Sequence, residues 1–251
     1  MNPLSGSTNF SLAGKTALVT GGARRIGRGI ALALARSGAN VAITYRNSGQ
    51  EADLTLRELE SLGVAARALE CDVRSEASVI AVVEAAVEAF GRLDVLINNA
   101  AVFASTPLDQ ITLDEWDSVF ATNARGPFLV ARAALPHLNA AQGRIINLGS
   151  LGGQRPWPGH AHYCSSKAAL HMLTQAMARS FAPRVSVNCV APGWIEFEDQ
   201  AGERAVHFAE KTPMRRNGTA ADVAEAVLFF AAGPSFITGQ ILTVDGGLGL
   251  L

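Results

Sequence analysis

Cysteine, net charge and long apolar runs are all scarce in this sequence, and each shortage removes a class of protein. The 251 residues hold three cysteines, Cys71, Cys164 and Cys189, set far apart. An odd, scattered set builds neither a disulfide framework nor a zinc site, and a reducing cytoplasm is the expected setting. A formal net charge of −1 gives no electrostatic reason to expect nucleic acid or an anionic membrane as partner. No uninterrupted apolar stretch approaches the roughly 18 residues of a membrane-spanning helix. The opening "MNPLSGSTNF" has no basic patch ahead of an apolar run, so it does not read as a signal peptide. Residues 1–11 are expected to be a flexible N-terminal segment. No low-complexity tract or short-period repeat stands out.

What is present is apolar and regular. A chain of this length that is 49% hydrophobic suits one large α/β domain, assigned here to residues 12–251. Candidate strands are "TALVT" (16–20), "NVAITY" (40–45), "AARALE" (65–70), "DVLIN" (94–98), "GRIINLG" (143–149), "RVSVNCV" (184–190) and "QILTV" (240–244). Several are apolar almost throughout, as strands covered on both faces should be. Helical patterns lie between them: "IGRGIALALARSG", "SEASVIAVVEAAVEAFG", "LDEWDSVFATNARGPFLVARAALPHL", "AHYCSSKAALHMLTQAMARSFA" and "TAADVAEAVLFFAA". This alternation predicts a Rossmann-type doubly wound α/β sandwich, with about seven parallel strands and helices on both faces. The charged stretch 194–213 breaks the rhythm and reads either as a substrate lid or as a solvated surface helix.

In "TALVTGGARRIG" a strand, a glycine turn and a helix start follow in the order a nucleotide requires. Gly21 and Gly27 let backbone approach a pyrophosphate, and the helix that opens at Arg24, Arg25 and Ile26 presents free N–H groups to an anion. Cations at a helix N-terminus are disfavoured by about 0.3–1 kcal/mol unless an anion lies close. NAD sites carry an acid near the end of the second strand for the ribose 2′-hydroxyl. Here that region reads "VAITYRNSGQ", with Arg46 and Ser48 and no acid before Glu51. Converging arginines pair with a 2′-phosphate, so the cofactor expected is NADP(H).

In "HYCSSKAAL", Tyr163 and Lys167 lie four residues apart and share one helical face. A phenol with a reference pKa near 10 exchanges protons poorly at neutral pH, and a neighbouring ammonium is expected to lower that value. Ser150 closes "RIINLGS" at a strand end, where parallel sheets form their ligand crevice, within reach of the same substrate oxygen. Cys164 is expected to point about 100° away from Tyr163 and take no part. His160 and His162 make no metal site by themselves, and no metal is expected.

The ordered set "TGGARRIG", "CDV", "INNAA", Asn123 in "ATNARGPF", Ser150, "YCSSK", "VAPGWI" and "ITGQILTVDGG" resembles the short-chain dehydrogenase/reductase family over residues 12 to 249. The resemblance implies Tyr163 as proton donor, Ser150 as the group orienting the substrate oxygen, and Lys167 as the residue that binds the nicotinamide ribose and depresses the Tyr163 pKa. It implies that Asn123 anchors a water on the proton path to Lys167. Asp72 and Val73 would hold the adenine, Asn99 and Ala100 would line the cofactor groove, and Pro192, Gly193 and Ile195 would contact the nicotinamide end. Members of the family are typically tetrameric, so a homotetramer, or a homodimer, is expected.

Arginine rather than glycine at position 25, Phe103 in "NNAAVF", and "PGWIEFED" without a threonine near position 197 are similar to the pteridine reductase branch. Ser150 departs from it, because that branch carries aspartate there. A serine hydroxyl suits a ketone or alcohol oxygen, whereas reduction of a pterin C=N bond needs a proton at ring nitrogen. The expectation is an NADPH-dependent carbonyl reductase acting on a small molecule, with a pocket walled by Phe103, Ser150 and Trp194. A pteridine reductase and a 3-oxoacyl thioester reductase are the alternatives. A non-catalytic NADP-binding regulator is the reading from another class; such proteins tend to lose the proton-transfer residues, all of which are present here.

Overall fold

The computed structural model describes residues 10–197 and 203–250. Seven strands, β1 (Thr16–Val19), β2 (Asn40–Tyr45), β3 (Ala66–Glu70), β4 (Val95–Asn98), β5 (Arg144–Leu148), β6 (Ser186–Pro192) and β7 (Ile241–Val244), form one parallel sheet in the order β3-β2-β1-β4-β5-β6-β7. Around it lie α1 (Arg25–Arg36), α2 (Gly49–Ser61), α3 (Glu76–Phe90), α4 (Leu113–Phe120), α5 (Gly126–Ala141), α6 (Ala161–Phe181), α7 (Glu203–Lys211) and α8 (Ala220–Ala232). The fold is the expected doubly wound sandwich.

Alternation along each strand divides the core in two. Ala17 and Val19 of β1 face a cluster with Ile30 and Leu34 of α1, Leu59 of α2 and Val227 of α8. Leu18, between them, faces Val79 and Val83 of α3, Val130 and Leu138 of α5 and Met177 of α6. The period of two in a strand therefore supplies both layers at once. Strand order reverses between β1 and β4, and the crevice at the carboxyl ends there is where such sheets bind ligands.

Local signals set most helix ends. Ser75 caps α3 by accepting from the Ser78 amide, and the left-handed Gly91 closes it. Thr112 caps α4, and Thr219 with Asp222 forms a capping box at α8. Two elements differ from expectation. Helix α2 buries only Ala52, Thr55 and Leu59, too sparse an apolar period to be read from sequence. The helix expected across residues 113–138 is interrupted by a π turn, Ala121–Arg125, that carries Asn123. Residues 1–9 lie outside the described residues, while Phe10 packs edge-to-face on Phe229 with ring centroids 6.2 Å apart. Of the stretch 194–213, residues 198–202 lie outside the described residues and α7 forms its second half.

At the opposite end of the sheet Asp94 is a buried anchor. It accepts from Arg92 at 2.7 Å, from Lys15 at 3.0 Å and from the Thr16 amide at 3.0 Å. Burial pushes its carboxyl up, but these donors outweigh burial and hold it below the usual carboxylate range. Its contribution is thus present above the ordinary aspartate value of about 3.9 and fades as acid titrates the group below that. Asp94→Ala should lower unfolding free energy by about 1.5–3 kcal/mol at neutral pH, with the deficit shrinking in acid; urea titrations at two pH values measure both.

Candidate active site

The loop after β1 is built for close approach. Gly21 sits at φ 63°, and a Cβ on Gly27 would run into the Gly21 carbonyl. Asn99 clamps the turn from β4, donating its side-chain amide to the carbonyls of Thr20 and Gly21, both at 2.9 Å. The Thr20 hydroxyl in return accepts from the amides of Asn99 and Ala100 at 3.0 and 3.1 Å. Arg25 adopts φ 51°, a left-handed conformation that favours glycine. Its guanidinium lies 5.2 Å from the centroid of the Phe197 ring.

A groove of about 410 Å³ opens at these strand ends. Gly21, Arg24, Arg25, Ile26 and Gly27 line it from the first loop, and Arg46 and Ser48 from the end of β2. Asp72 and Val73 line it after β3, and Asn99, Ala100 and Phe103 after β4. Asp72 is held by Arg74, which lowers its carboxyl to about 2. A wider depression of about 800 Å³ lies beyond Asp72 against α4 and Arg125, and none of the expected catalytic residues lines it.

The remaining expected residues gather at the carboxyl ends of β5 and β6. Ser150 and Tyr163 are buried, and the Ser150 hydroxyl acts on the Tyr163 phenol, drawing its pKa down. The Ser150 hydroxyl also accepts from the Gly152 amide at 3.0 Å. Lys167, one turn beyond Tyr163, donates to the Leu148 carbonyl at 2.7 Å and lies 5.9 Å from the Tyr163 ring centroid. Burial brings its ammonium down to about 8. Burial also pushes the Tyr163 hydroxyl up to about 12, with Ser150 pulling it partly back. Lys167 was expected to lower the Tyr163 pKa; here desolvation of the phenolate dominates, and Ser150 is the group that pulls it back.

Asn123 is fully buried, and its side chain is already committed. It donates to the Val102 carbonyl at 2.9 Å and to Ser166 at 3.0 Å, and accepts from the Val102 amide at 2.8 Å. Pro192 ends β6 and Gly193 and Ile195 follow it, outside the lining of the 410 Å³ groove. Gly193 fits against Asp245, and Ile195 bridges to Gly218.

Aromatic rings surround Tyr163. Phe103 meets it edge-on at 4.8 Å, and Trp157 lies nearly parallel to it at 6.3 Å. His160 stacks on Phe103 at 4.6 Å, and Phe103 remains 57% exposed. Trp194 stacks on Phe208 of α7 at 4.2 Å, which ties that helix to the segment after β6. Cys164 is buried with its sulfur facing Gly152. Among the described residues no group of His, Cys, Asp and Glu could hold a metal, and no helix is long and apolar enough to cross a membrane.

A family model described as enoyl-(acyl carrier protein) reductase matches residues 21–249. The 3-oxoacyl-[acyl-carrier-protein] reductase FabG of Staphylococcus aureus (strain N315) is 39% identical over 240 residues, covering 93% of this chain and 98% of that protein. The chain belongs to the short-chain dehydrogenase/reductase family. The short chain dehydrogenase mdpC of Emericella nidulans is 38% identical, covering 95% of this chain and 96% of that one. A dehydrogenase/reductase from Sinorhizobium meliloti 1021 superposes with a TM-score of 0.91 at 42% identity, covering 96% of this chain and 97% of its own. A short chain dehydrogenase from Burkholderia cenocepacia J2315, solved in complex with NADP, gives 0.89 at 41% identity, with 94% and 98% covered. The chain is thus an oxidoreductase of this family.

Three features escaped sequence reading. Phe197 reaches the groove only through the fold, and Cys71 lines it although "CDV" drew notice to its neighbours. His171 carried a usable signal, since it follows Tyr163 and Lys167 at the same four-residue spacing. Asn123→Ala leaves both polar atoms of Val102 and the Ser166 hydroxyl without this partner. It should lower unfolding free energy by about 2–3 kcal/mol, read from the urea midpoint at constant slope.

Proposed function

We propose that the protein is an NADP(H)-dependent oxidoreductase that transfers hydride between the nicotinamide and a carbonyl or alcohol carbon. The observation that carries this reading is the buried Ser150–Tyr163 hydroxyl pair, with Lys167 one turn away, at the carboxyl end of β5. The groove fits the cofactor. Glycines clear the backbone at the first turn, the α1 N-terminus faces it, and Arg24, Arg25 and Arg46 line it together. No carboxylate stands between Tyr45 and Ser48 to repel a 2′-phosphate. When bound, NADPH supplies the hydride.

The chain's own residues manage the oxygen. Tyr163, held near pKa 12, keeps its proton at neutral pH and can give it to a carbonyl oxygen as charge develops there. Ser150 donates a hydrogen bond to the same oxygen. Lys167, held near 8, is the stronger acid of the two and can return a proton to the phenolate. Tyr163 and Ser150 thus act as catalytic residues, and Asn123 positions the loop at Val102 against α6. The rings of Phe103 and Trp157, with Trp194 and α7 beyond, bound the substrate side.

Among carbonyl substrates, 3-oxoacyl thioesters come first, supported by the likeness to the 3-oxoacyl-[acyl-carrier-protein] reductases. A pteridine substrate is the second reading, favoured by the half-open ring of Phe103. A neutral Ser150 in place of a carboxyl group weighs for oxygen. Assembly as a homotetramer or homodimer belongs to the same reading, and exposed Leu113 and Phe128 offer apolar surface for it.

Tyr163→Phe should cut turnover of an acetoacetyl thioester by about 10²–10⁴-fold while NADPH affinity, measured by fluorescence titration, stays within about twofold. A cofactor-binding regulator would be indifferent to the change. Rapid biopterin turnover with no carbonyl reduced would instead select the pteridine reading. Arg46→Asp should weaken NADPH by about tenfold or more while sparing NADH, as loss of one charge-assisted phosphate contact implies. An unchanged NADPH/NADH affinity ratio would remove the 2′-phosphate role.

A further inference from the structure

His171 lies two turns beyond Tyr163 and one beyond Lys167 on α6, so the three share one face of the helix. Its imidazole is buried and packs beneath the turn that carries Ser150. Nε2 accepts the Ser150 backbone N–H at 3.4 Å. The two glycines bracketing that turn make room for the ring. A Cβ on Gly149 would collide with Nε2, and one on Gly153 would stand 2.6 Å from Cε1. The turn therefore rests on the ring along its length.

We propose that His171 is a positioning residue for the reaction, whose neutral Nε2 holds the Ser150 peptide and so sets where the Ser150 hydroxyl meets Tyr163. The proposal rests on the reading of Ser150 and Tyr163 as the catalytic pair. An acceptor at Nε2 requires the neutral tautomer with its proton on Nδ1. Protonation would aim a donor at the Ser150 N–H and set a second cation beside Lys167. Titratable groups beside the ring include the Lys167 ammonium on its own helix and the Cys189 thiol of β6, which flanks Gly149, and the loop brings the Ser150 N–H and glycines against it. Burial, then the Lys167 charge, holds the ring down to about 4, which keeps the acceptor available across the physiological range.

The test compares two variants by acetoacetyl thioester reduction, with NADPH titration and thermal unfolding alongside. His171→Met fills the space without a strong acceptor, whereas His171→Gln places an amide oxygen near the position of Nε2. Met should lower kcat by about 10–100-fold with NADPH affinity unchanged, the size of loss that a displacement of about 1 Å produces. Gln should recover most of that loss. Nitrogen-15 spectra of histidine-labelled parent protein should show His171 neutral, protonated at Nδ1, at pH values where an ordinary histidine of pKa about 6.5 is charged. Unchanged kcat in a folded Met variant, Gln no better than Met, or a His171 that titrates at the ordinary value would overturn the proposal. Should Met fail to fold, the spectra and the Gln variant decide it. Full activity in Tyr163→Phe would sink the catalytic pair itself and His171 with it, a failure distinguishable because the spectra would still report the bond.

Discussion

A buried ammonium governs the arrangement of the site. In an apolar interior Lys167 cannot stand without an acceptor, and the carbonyl of Leu148, last residue of β5, supplies one at 2.7 Å. That bond fixes α6 against the sheet and brings Tyr163 opposite Ser150. Deeper in the core the register is repeated. Asn98 of β4 donates to Asn147 of β5 at 2.9 Å, and Asn147 donates to Thr174 of α6 at 2.9 Å. Sliding the helix by one residue would orphan several buried polar groups together, each at a cost of about 1–3 kcal/mol.

The first loop shows the opposite balance, with local discomfort tolerated for the sake of the groove. Arg25 at φ 51° occupies a conformation that costs a non-glycine residue about 1 kcal/mol or more. Its guanidinium gains the Phe197 face and joins Arg24 and Arg46 around one cavity. In the proposed function that concentration of charge meets a phosphate, which is what makes the strained arginine useful where glycine would be easier.

Legibility varied with how local each cause was. The strands β1, β4 and β5 are largely apolar and could be read directly. Helix α2 was not, because only three residues mark its buried face and one of them, Thr55, is polar. The π turn at Asn123 was hidden because the apolar pattern runs on through it; the insertion answers to Val102 and Ser166, 21 and 43 residues away. The Tyr163–Lys167 spacing was legible, but its electrostatic consequence was not. Spacing says that the two side chains are near, and only burial says that desolvation outweighs attraction for the phenol.

From the sequence alone came the alternation of strand and helix, the order of the motifs, and the identities of the residues at the strand ends. These are properties of period and chemistry that each segment carries regardless of its neighbours. Only the tertiary structure decided that Lys167 points to Leu148, that Asn123 spends its amide on Val102, and that His171 lies under Ser150. Those outcomes depend on which distant groups share a dry interior, where every donor must find an acceptor and every charge is weighed against its lost water.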